Sequence, residues 1–551
     1  MSERFSVRWY WLVICATFAG CLAGGCESFL GGEDLPDVEV SAEKARRIEP
    51  LDLAKAKTEE KRAVEANEAP PKELEFTLEQ CRALALENNL DLKAQLITPA
   101  IAAERVSEEE AKFEAAFFSR FSLNRSNTPA VSFLDEITGS SVDYMSTDLG
   151  VRMPLRTGGT LTFDVVDTRV KTNAQQAWLN PYYTSDASFS ISQPLLRNAG
   201  KRSSTYSIRI AEYERQISDV RTKLEVIKVV AALDRVYWRL YAARKELEVR
   251  KKQYELARTQ MEQAQRFVNS GERAPIEVIR AEAGVAQQLE AIIVAENSLR
   301  DREREIKRVI NKAGLEMQTP TVLIPATEPD PVRYGLEQER LVQAAVENRM
   351  EMLELELQIA EDMSRVDYMR NQALPLASLD YTYNVNGLGA TRQDSFDLLC
   401  EDRFADHRLG LQLVVPIGNE AAGSRLRQTL YQRRQRLASR DSRRALVEME
   451  VLNAIDQVEA NWQRILASRQ RTILDGRLYE AERRQFELGL GTSTDVLEAQ
   501  TTFANAQSSE IAALTEYQIS LIDLAYATGT LLGAAKVQWS GSSIAGPEAG
   551  K

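Results

Sequence analysis

Two periodicities divide this chain. Between Ser203 and Ser270, apolar residues step by three and four at Ile210, Tyr213, Ile217, Val220, Leu224 and Ile227. They then settle into a seven-residue spacing at Leu233, Leu240, Leu247, Tyr254, Met261 and Val268. Such steps keep side chains on one helix face, and a sustained seven-residue repeat holds that face against a partner helix by supercoiling. From Gly423 to Leu488 a noisier copy keeps the same steps at Ile455, Val458, Trp462 and Ile465. Each helix reaches roughly 100 Å at ~1.5 Å per residue, well beyond the width of a globular domain.

Elsewhere the period is two. Leu149, Val151, Met153 and Leu155 alternate with Gly150, Arg152 and Pro154, and Phe189 and Ile191 alternate with serines. Tyr381, Tyr383 and Val385 alternate with Asp380, Thr382 and Asn384, and Leu409, Leu411 and Leu413 with Arg408, Gly410 and Gln412. These segments predict strands with one apolar face. They suit a half-buried soluble sheet or a transmembrane barrel, and alternation by itself favours the soluble sheet because the barrel signal is weak per strand. Four short strands cannot close a barrel in one chain, so the barrel reading requires several chains.

Two interruptions punctuate the helical stretches. In FELGLGTSTDVLEAQ (Phe486 to Gln500), Gly489 predicts a left-handed helix stop and Gly491 a chain reversal. Thr492 then predicts an N-cap, with Asp495 three residues on as an acidic capping box. In NSGERAPIEVIRAE (Asn269 to Glu282), Gly271 is the stop and Pro275 suits the first turn of the returning helix. Both stretches predict tips of long antiparallel hairpins. Glu277 and Asp495 fall in first helical turns, where the helix dipole favours an acid. Capping accounts for both; Glu498, one turn beyond Asp495, adds a second carboxylate to that helix face.

The chain also repeats itself. Glu87-Asn88 matches Glu347-Asn348, Pro194 matches Pro416, and Gly271, Glu277 and Val278 match Gly489, Asp495 and Val496. The offset falls from about 260 to about 220 residues, too long for a solenoid repeat and indicative of a duplicated domain-sized unit. About forty extra residues therefore sit in the first copy, nearly all between its opening helix and Pro194. Each unit reads as helix, strand pair, very long helix, glycine turn, helix. The first unit is expected over 76–314 and the second over 334–533.

Composition narrows the function. The 551 residues carry a net charge of −12, with 44% hydrophobic and 27% charged residues. That balance argues against a nucleic-acid footprint and for a cation-tolerant surface or lumen. His407 is the single histidine, which makes histidine acid–base chemistry or a histidine metal site improbable. The sequence shows no glycine-rich phosphate loop, no catalytic triad, no zinc-ligand spacing and no methionine cluster suited to copper, so neither an enzyme nor a cofactor is expected. The arginines at 433, 434, 436, 440, 443 and 444 read as a solvated helix face, with lipid headgroups as the alternative. Tyr237, Trp238 and Tyr241 read as packing, and Cys81 as a buried residue of an amphipathic helix.

The ends are different in kind. Residues 1–26 read as a targeting signal, with Arg4 and Arg8 before a short apolar run, Trp9 to Gly20. Cys21 and Cys26 both follow small residues in the manner of a bacterial lipobox; either fits as the acylated cysteine, and an ordinary cleaved signal is the alternative. Residues 27–75 read as a polar linker and 534–551 as a loose tail.

The duplicated layout, the G-x(5)-D/E-V tips and the Pro-Leu and Pro-Ile elements before the long helices resemble the TolC-like outer-membrane efflux protein family. The resemblance runs from about Phe76 to Gly533. It implies a mainly α fold with β: a trimeric transmembrane β-barrel continued by a periplasmic α-helical coiled-coil barrel. It also implies a lipid-anchored exit duct in the outer membrane of a Gram-negative-type bacterium, passing small molecules or polypeptides. A periplasmic adaptor and a proton- or ATP-driven inner-membrane pump would be its partners, besides outer-membrane lipid. By the same resemblance Asp495 and Glu498 line a pore constriction, and Gly271, Pro275, Glu277, Gly489, Gly491 and Thr492 form tips that meet the adaptor. An arginine that latches the closed state in some members falls where this chain has Gly491. The rival reading is a periplasmic coiled-coil scaffold or adaptor lipoprotein without a pore, which leaves the strand segments unexplained.

Overall fold

The computed structural model describes residues 73–538 apart from 130–136, 138 and 175. The expected targeting signal with Cys21 and Cys26, and nearly all of the expected linker and tail, lie outside the described residues. The last linker residues are not loose: β1 (Glu73–Phe76) pairs in parallel with β6, the strand Val322–Pro325 between the two units. The Tyr237 hydroxyl ties this pair to the helices, donating to the Phe76 carbonyl at 3.1 Å and accepting from the Thr327 N–H at 2.9 Å.

The first unit opens with α1 (Leu78–Asn88) and α2 (Leu90–Ala111). Asn89 breaks them apart in an extended conformation, and its side chain accepts from the Leu92 N–H at 2.9 Å. The second unit opens alike, with α6 (Gln338–Asn348), a break at Arg349 and α7 (Met350–Gln372). The repeated Glu-Asn signature thus marks the same helix–break–helix turn.

Four strands follow α2: β2 (Ala116–Asn127), β3 (Ser141–Pro154), β4 (Thr160–Thr172) and β5 (Tyr182–Pro194). Two follow α7, namely β7 (Leu376–Gly389) and β8 (Ala405–Val414), with the short helix α8 (Arg392–Cys400) between them. All six form one antiparallel sheet in the order β2-β3-β4-β5-β7-β8. This corrects the expected strand pair in the first unit. The surplus residues of the first copy are a further hairpin.

The one-turn helix α3 (Lys201–Ser204) leads into α4 (Tyr206–Asn269), and α5 (Ile276–Ile310) returns. In the second unit α9 (Glu420–Glu487) and α10 (Ser493–Ala527) form the equivalent hairpin, closed by the one-turn α11 (Leu531–Ala534). The long helices change partners along their length. Towards the sheet α4 packs on α2 and α7, and α9 on α7; towards the tips α4 packs on α5 and α10, and α9 on α10. Leu233, Leu240 and Leu247 are buried as the seven-residue repeat predicts. Nearer the tip the fully covered positions of α4 shift to Gln253, Ala257, Gln260 and Ala264, while Tyr254, Met261 and Val268 are half-buried. Small residues let α10 approach closely there, and the Gln500 amide donates to the Gln253 carbonyl at 2.7 Å.

Cys81, Tyr237 and Trp238 are buried where β1, α1 and α4 meet. Burial, with Asp234 nearby, pushes the Cys81 thiol up to about 12, so it is an inert core residue. The arginine run of α9 departs from both sequence readings in part. Arg436 donates to Asp362 at 2.6 Å and Arg443 to Glu351 at 3.1 Å, joining α9 to α7. Among the described residues no helix is long and apolar enough to cross a membrane, and no group of acids, histidines and cysteines is arranged to hold a metal ion.

Candidate functional site

The two hairpin tips lie side by side and share one backbone plan. Gly271 and Gly489 take the left-handed conformation, at φ +77° and +82°. In the first tip the Glu272 and Arg273 N–H groups both donate to the Phe267 carbonyl; in the second, Leu490 and Gly491 donate to Gln485. Gly491 has no positive φ, unlike Gly489. A Cβ on it would stand 3.4 Å from the Phe486 nitrogen, an ordinary van der Waals contact, so neither left-handed backbone nor close approach requires glycine here.

Thr492 caps α10 as the spacing predicts. Its hydroxyl accepts from the Asp495 N–H at 3.4 Å, and Asp495 Oδ2 accepts from the Thr492 N–H at 3.0 Å and its hydroxyl at 2.7 Å. These bonds favour the ionised carboxylate and hold Asp495 below the usual range. Asp495 and Glu498 are both exposed on one face of α10.

Glu277 does something the sequence did not disclose. It is 7% exposed, and Oε2 accepts the Ser493 N–H of the other hairpin at 2.8 Å while Oε1 pairs with Arg280 at 2.9 Å. The N-terminus of α10 is therefore satisfied by its own Thr492 and by an acid from the first tip. Arg273 completes the junction from the opposite side. Its guanidinium donates to the Phe486 carbonyl at 3.1 Å and lies 5.1 Å from the Phe486 ring centroid. Beneath these bonds Phe267 meets Phe486 edge-on at 5.9 Å, and Val496, Ala264 and Ala281 are buried. Pro275 immediately precedes α5 without a side-chain cap. Arg273 was missed by sequence reading, although it stands at the position of the first tip equivalent to Gly491 in the second.

The sheet is the other candidate surface, and its two faces differ. Register places Phe121, Leu149, Phe163, Phe189, Tyr383 and Leu411 on one face, and Phe121, Leu149, Phe163, Phe189 and Leu411 are exposed. His407 lies on this face between Tyr381 and Tyr383, its Nδ1 3.1 Å from the Tyr381 hydroxyl. Polar groups bound the apolar band on the side away from the helices, where Arg125 pairs with Asp143 at 2.7 Å and Arg392 with Asp167 at 2.7 Å. The opposite face carries Arg120, Asp148, Asp164, Asp186, Asp380 and Arg408. Serines bridge its strands: Ser188 donates to Asp164 at 2.6 Å and Ser192 to Asp380 at 2.5 Å. α8 covers only the outer end of the first face, through Ser395 on Ser185 and Arg392 on Asp167. Among the described residues nothing covers the apolar band or pairs either edge, which leaves the sheet incomplete as a soluble structure.

Comparison with known proteins agrees with this geometry. The sequence model described as "Outer membrane efflux protein" matches residues 167–312 and 341–530. Outer membrane protein TolC of Vibrio cholerae serotype O1 is 23% identical over 341 residues, covering 60% of this chain and 74% of the relative. Among solved structures, the Campylobacter jejuni CmeC outer membrane channel superposes with a TM-score of 0.60 at 15% identity, over 82% of this chain and 86% of that one. The open state of the Neisseria gonorrhoeae MtrE outer membrane channel gives 0.57 at 14% identity, over 82% and 89%. These likenesses establish a shared fold, and the match over both halves establishes more: the chain belongs to the outer membrane efflux protein family, whose members are transport proteins rather than enzymes.

Proposed function

We propose that three copies of this chain form an exit duct through the outer membrane, each contributing its sheet to one common barrel and its helices to a periplasmic tunnel. The observation that carries this reading is the two-faced sheet joined to helices of about 100 Å. The apolar band also climbs diagonally, from Leu411 in β8 through Phe189 in β5 to Phe121 in β2. That climb is about eight residues over five strand spacings, which at ~3.4 Å per residue and ~4.8 Å per strand is a tilt of roughly 45–50°. Strands that cross a bilayer tilt by about 45°. A periplasmic scaffold without a pore leaves this band without purpose.

The tips, farthest from the sheet, form the entrance and meet a periplasmic adaptor, which couples the duct to an inner-membrane pump. Asp495 and Glu498 line the constriction. Threefold assembly brings six carboxylates together there, attracting cations and opposing one another's ionisation. Acylation at Cys21 or Cys26 anchors the chain to outer-membrane lipid. Cargo, small molecule or polypeptide, is chosen by the pump.

Planar-bilayer conductance of the purified protein tests this, beside an Asp495→Ala/Glu498→Ala double variant. The expected result is discrete cation-preferring channels whose selectivity falls at least twofold in the variant. Channels indifferent to the substitutions would retain the duct and reject the acidic constriction. A well-folded monomer without channels would reject the duct.

A further inference from the structure

We infer that the β3–β4 hairpin is part of the membrane wall, so that the barrel has eighteen strands rather than the twelve that the duplicated plan supplies. This rests on the trimeric duct proposed above. The second unit reaches its long helix through two strands, β7 and β8, whereas the first uses four. β2 follows α2 as β7 follows α7, and β5 leads to α4 as β8 leads to α9. The surplus is β3–β4, and without it each chain would bring four strands.

The hairpin is woven into the sheet rather than laid upon it. β3 pairs with β2 from Ala116↔Arg152 to Asn127↔Ser141, and β4 pairs with β5 from Thr160↔Ser192 to Val170↔Tyr182. At 14 and 13 residues, β3 and β4 exceed the ~9–11 that a tilted membrane strand needs. Leu149 and Phe163 continue the exposed apolar band between Phe121 and Phe189, while Asp148 and Asp164 continue the polar face. A hairpin is also the permissible insertion. Two antiparallel strands return the chain to the helical side of the membrane, so α2 and α4 keep their places; one strand would strand α4 on the far side. The total stays even, leaving β2 and β8 antiparallel, as pairing of β8 with β2 of the next copy requires.

The consequence is bore. With strands ~4.8 Å apart and tilted ~45°, twelve give a backbone cylinder about 26 Å across and eighteen about 39 Å. The cross-section more than doubles, into the range in which barrels of 16–18 strands hold an open aqueous channel. The exit through the membrane then imposes no filter on solutes up to about 20 Å across, and selection rests with the helical entrance.

Electron cryo-microscopy of the full-length protein in lipid nanodiscs tests the count, together with a variant lacking residues 129–173 that joins β2 directly to the β5 loop. The expected result is an eighteen-strand wall in the wild type and a twelve-strand wall, about two-thirds as wide, in the variant. A wild-type trimer whose wall has twelve strands, with β3–β4 outside it, overturns this inference and leaves the duct intact; absence of a trimer overturns both. A matched pair of substitutions reads the hairpin independently. Val165 lies on the apolar face between Leu149 and Ala187, and Val166 on the polar face between Asp148 and Asp186. Val165→Arg should lower the yield of assembled outer-membrane trimer at least tenfold, while Val166→Arg should leave it within about twofold of wild type. Equal yields from the two, high or low, overturn the placement.

Discussion

The two tips begin from the same local pattern and spend their acids differently. Each has a left-handed glycine, two N–H groups folded back on the preceding helix, and a carboxylate six residues after the glycine. In the second tip Asp495 is claimed by Thr492 and closes its own helix. The equivalent of Thr492 in the first tip is Ala274, which has no oxygen to offer, and α5 starts without a side-chain cap. Glu277, one methylene longer, is held locally by Arg280 through Oε1 and reaches across to the Ser493 N–H with Oε2. The difference at Gly491 works in the same direction. Gly491 has no side chain to send across, while Arg273 at the equivalent place in the first tip extends to the Phe486 carbonyl. The second tip turns its acid on its own helix; the first turns its acid and its arginine on its neighbour.

This division of labour gives Glu277→Ala the largest effect. It leaves the Ser493 N–H without its acceptor and Arg280 without its partner, costing about 2–3 kcal/mol of local stability. Amide exchange in the intact protein should show the first turn of α10 losing some thirtyfold or more in protection, with Glu277→Gln, which keeps an acceptor, losing markedly less. Next comes Arg273→Ala, which removes one hydrogen bond and a cation–π contact. A loss of about 1–2 kcal/mol should appear as faster exchange at the end of α9, with the start of α5 unchanged. Exchange that rises equally in both hairpins would erase the distinction between them.

The smallest effect is confined to the second tip. Thr492→Ala removes an N-cap worth about 1 kcal/mol, read in the same first turn of α10. This contribution also depends on pH. Asp495 has its carboxyl held below the ordinary value in the folded tip, so the capping box is fully present above about pH 4, the usual unfolded value, and is lost as pH falls through the folded value. Protection of that turn should be flat from pH 7 to 5 and decline below about 4; Thr492→Ala, which keeps the backbone N–H bond to Asp495, should shrink the decline, and Asp495→Asn should abolish it. A decline that persists in Asp495→Asn would assign it to another group.

Much of this architecture was legible along the chain because its rules are local. A 3-4-3 spacing buries Ile455, Val458 and Ile465 whatever helix they meet, Gly489 stops a helix because a left-handed turn without a Cβ costs little, and Thr492 finds Asp495 within one turn. The strands that were legible, in β3, β5, β7 and β8, alternate cleanly. Those that were missed do not: β2 carries Phe117 and Phe118 side by side, and β4 carries Val165 and Val166. Each such pair sends one apolar side chain to either face, so a period of two is blurred and only pairing with neighbouring strands declares the register. The reach of Glu277 and Arg273 is of the same kind. Their partners are more than two hundred residues away, and no local rule says which backbone group a side chain will find once two hairpins are packed together. Local periodicity dictated the elements and where they turn; the count of strands in the sheet and the bonds between the tips came from long-range pairing, because register and reach are properties of neighbours rather than of neighbouring residues.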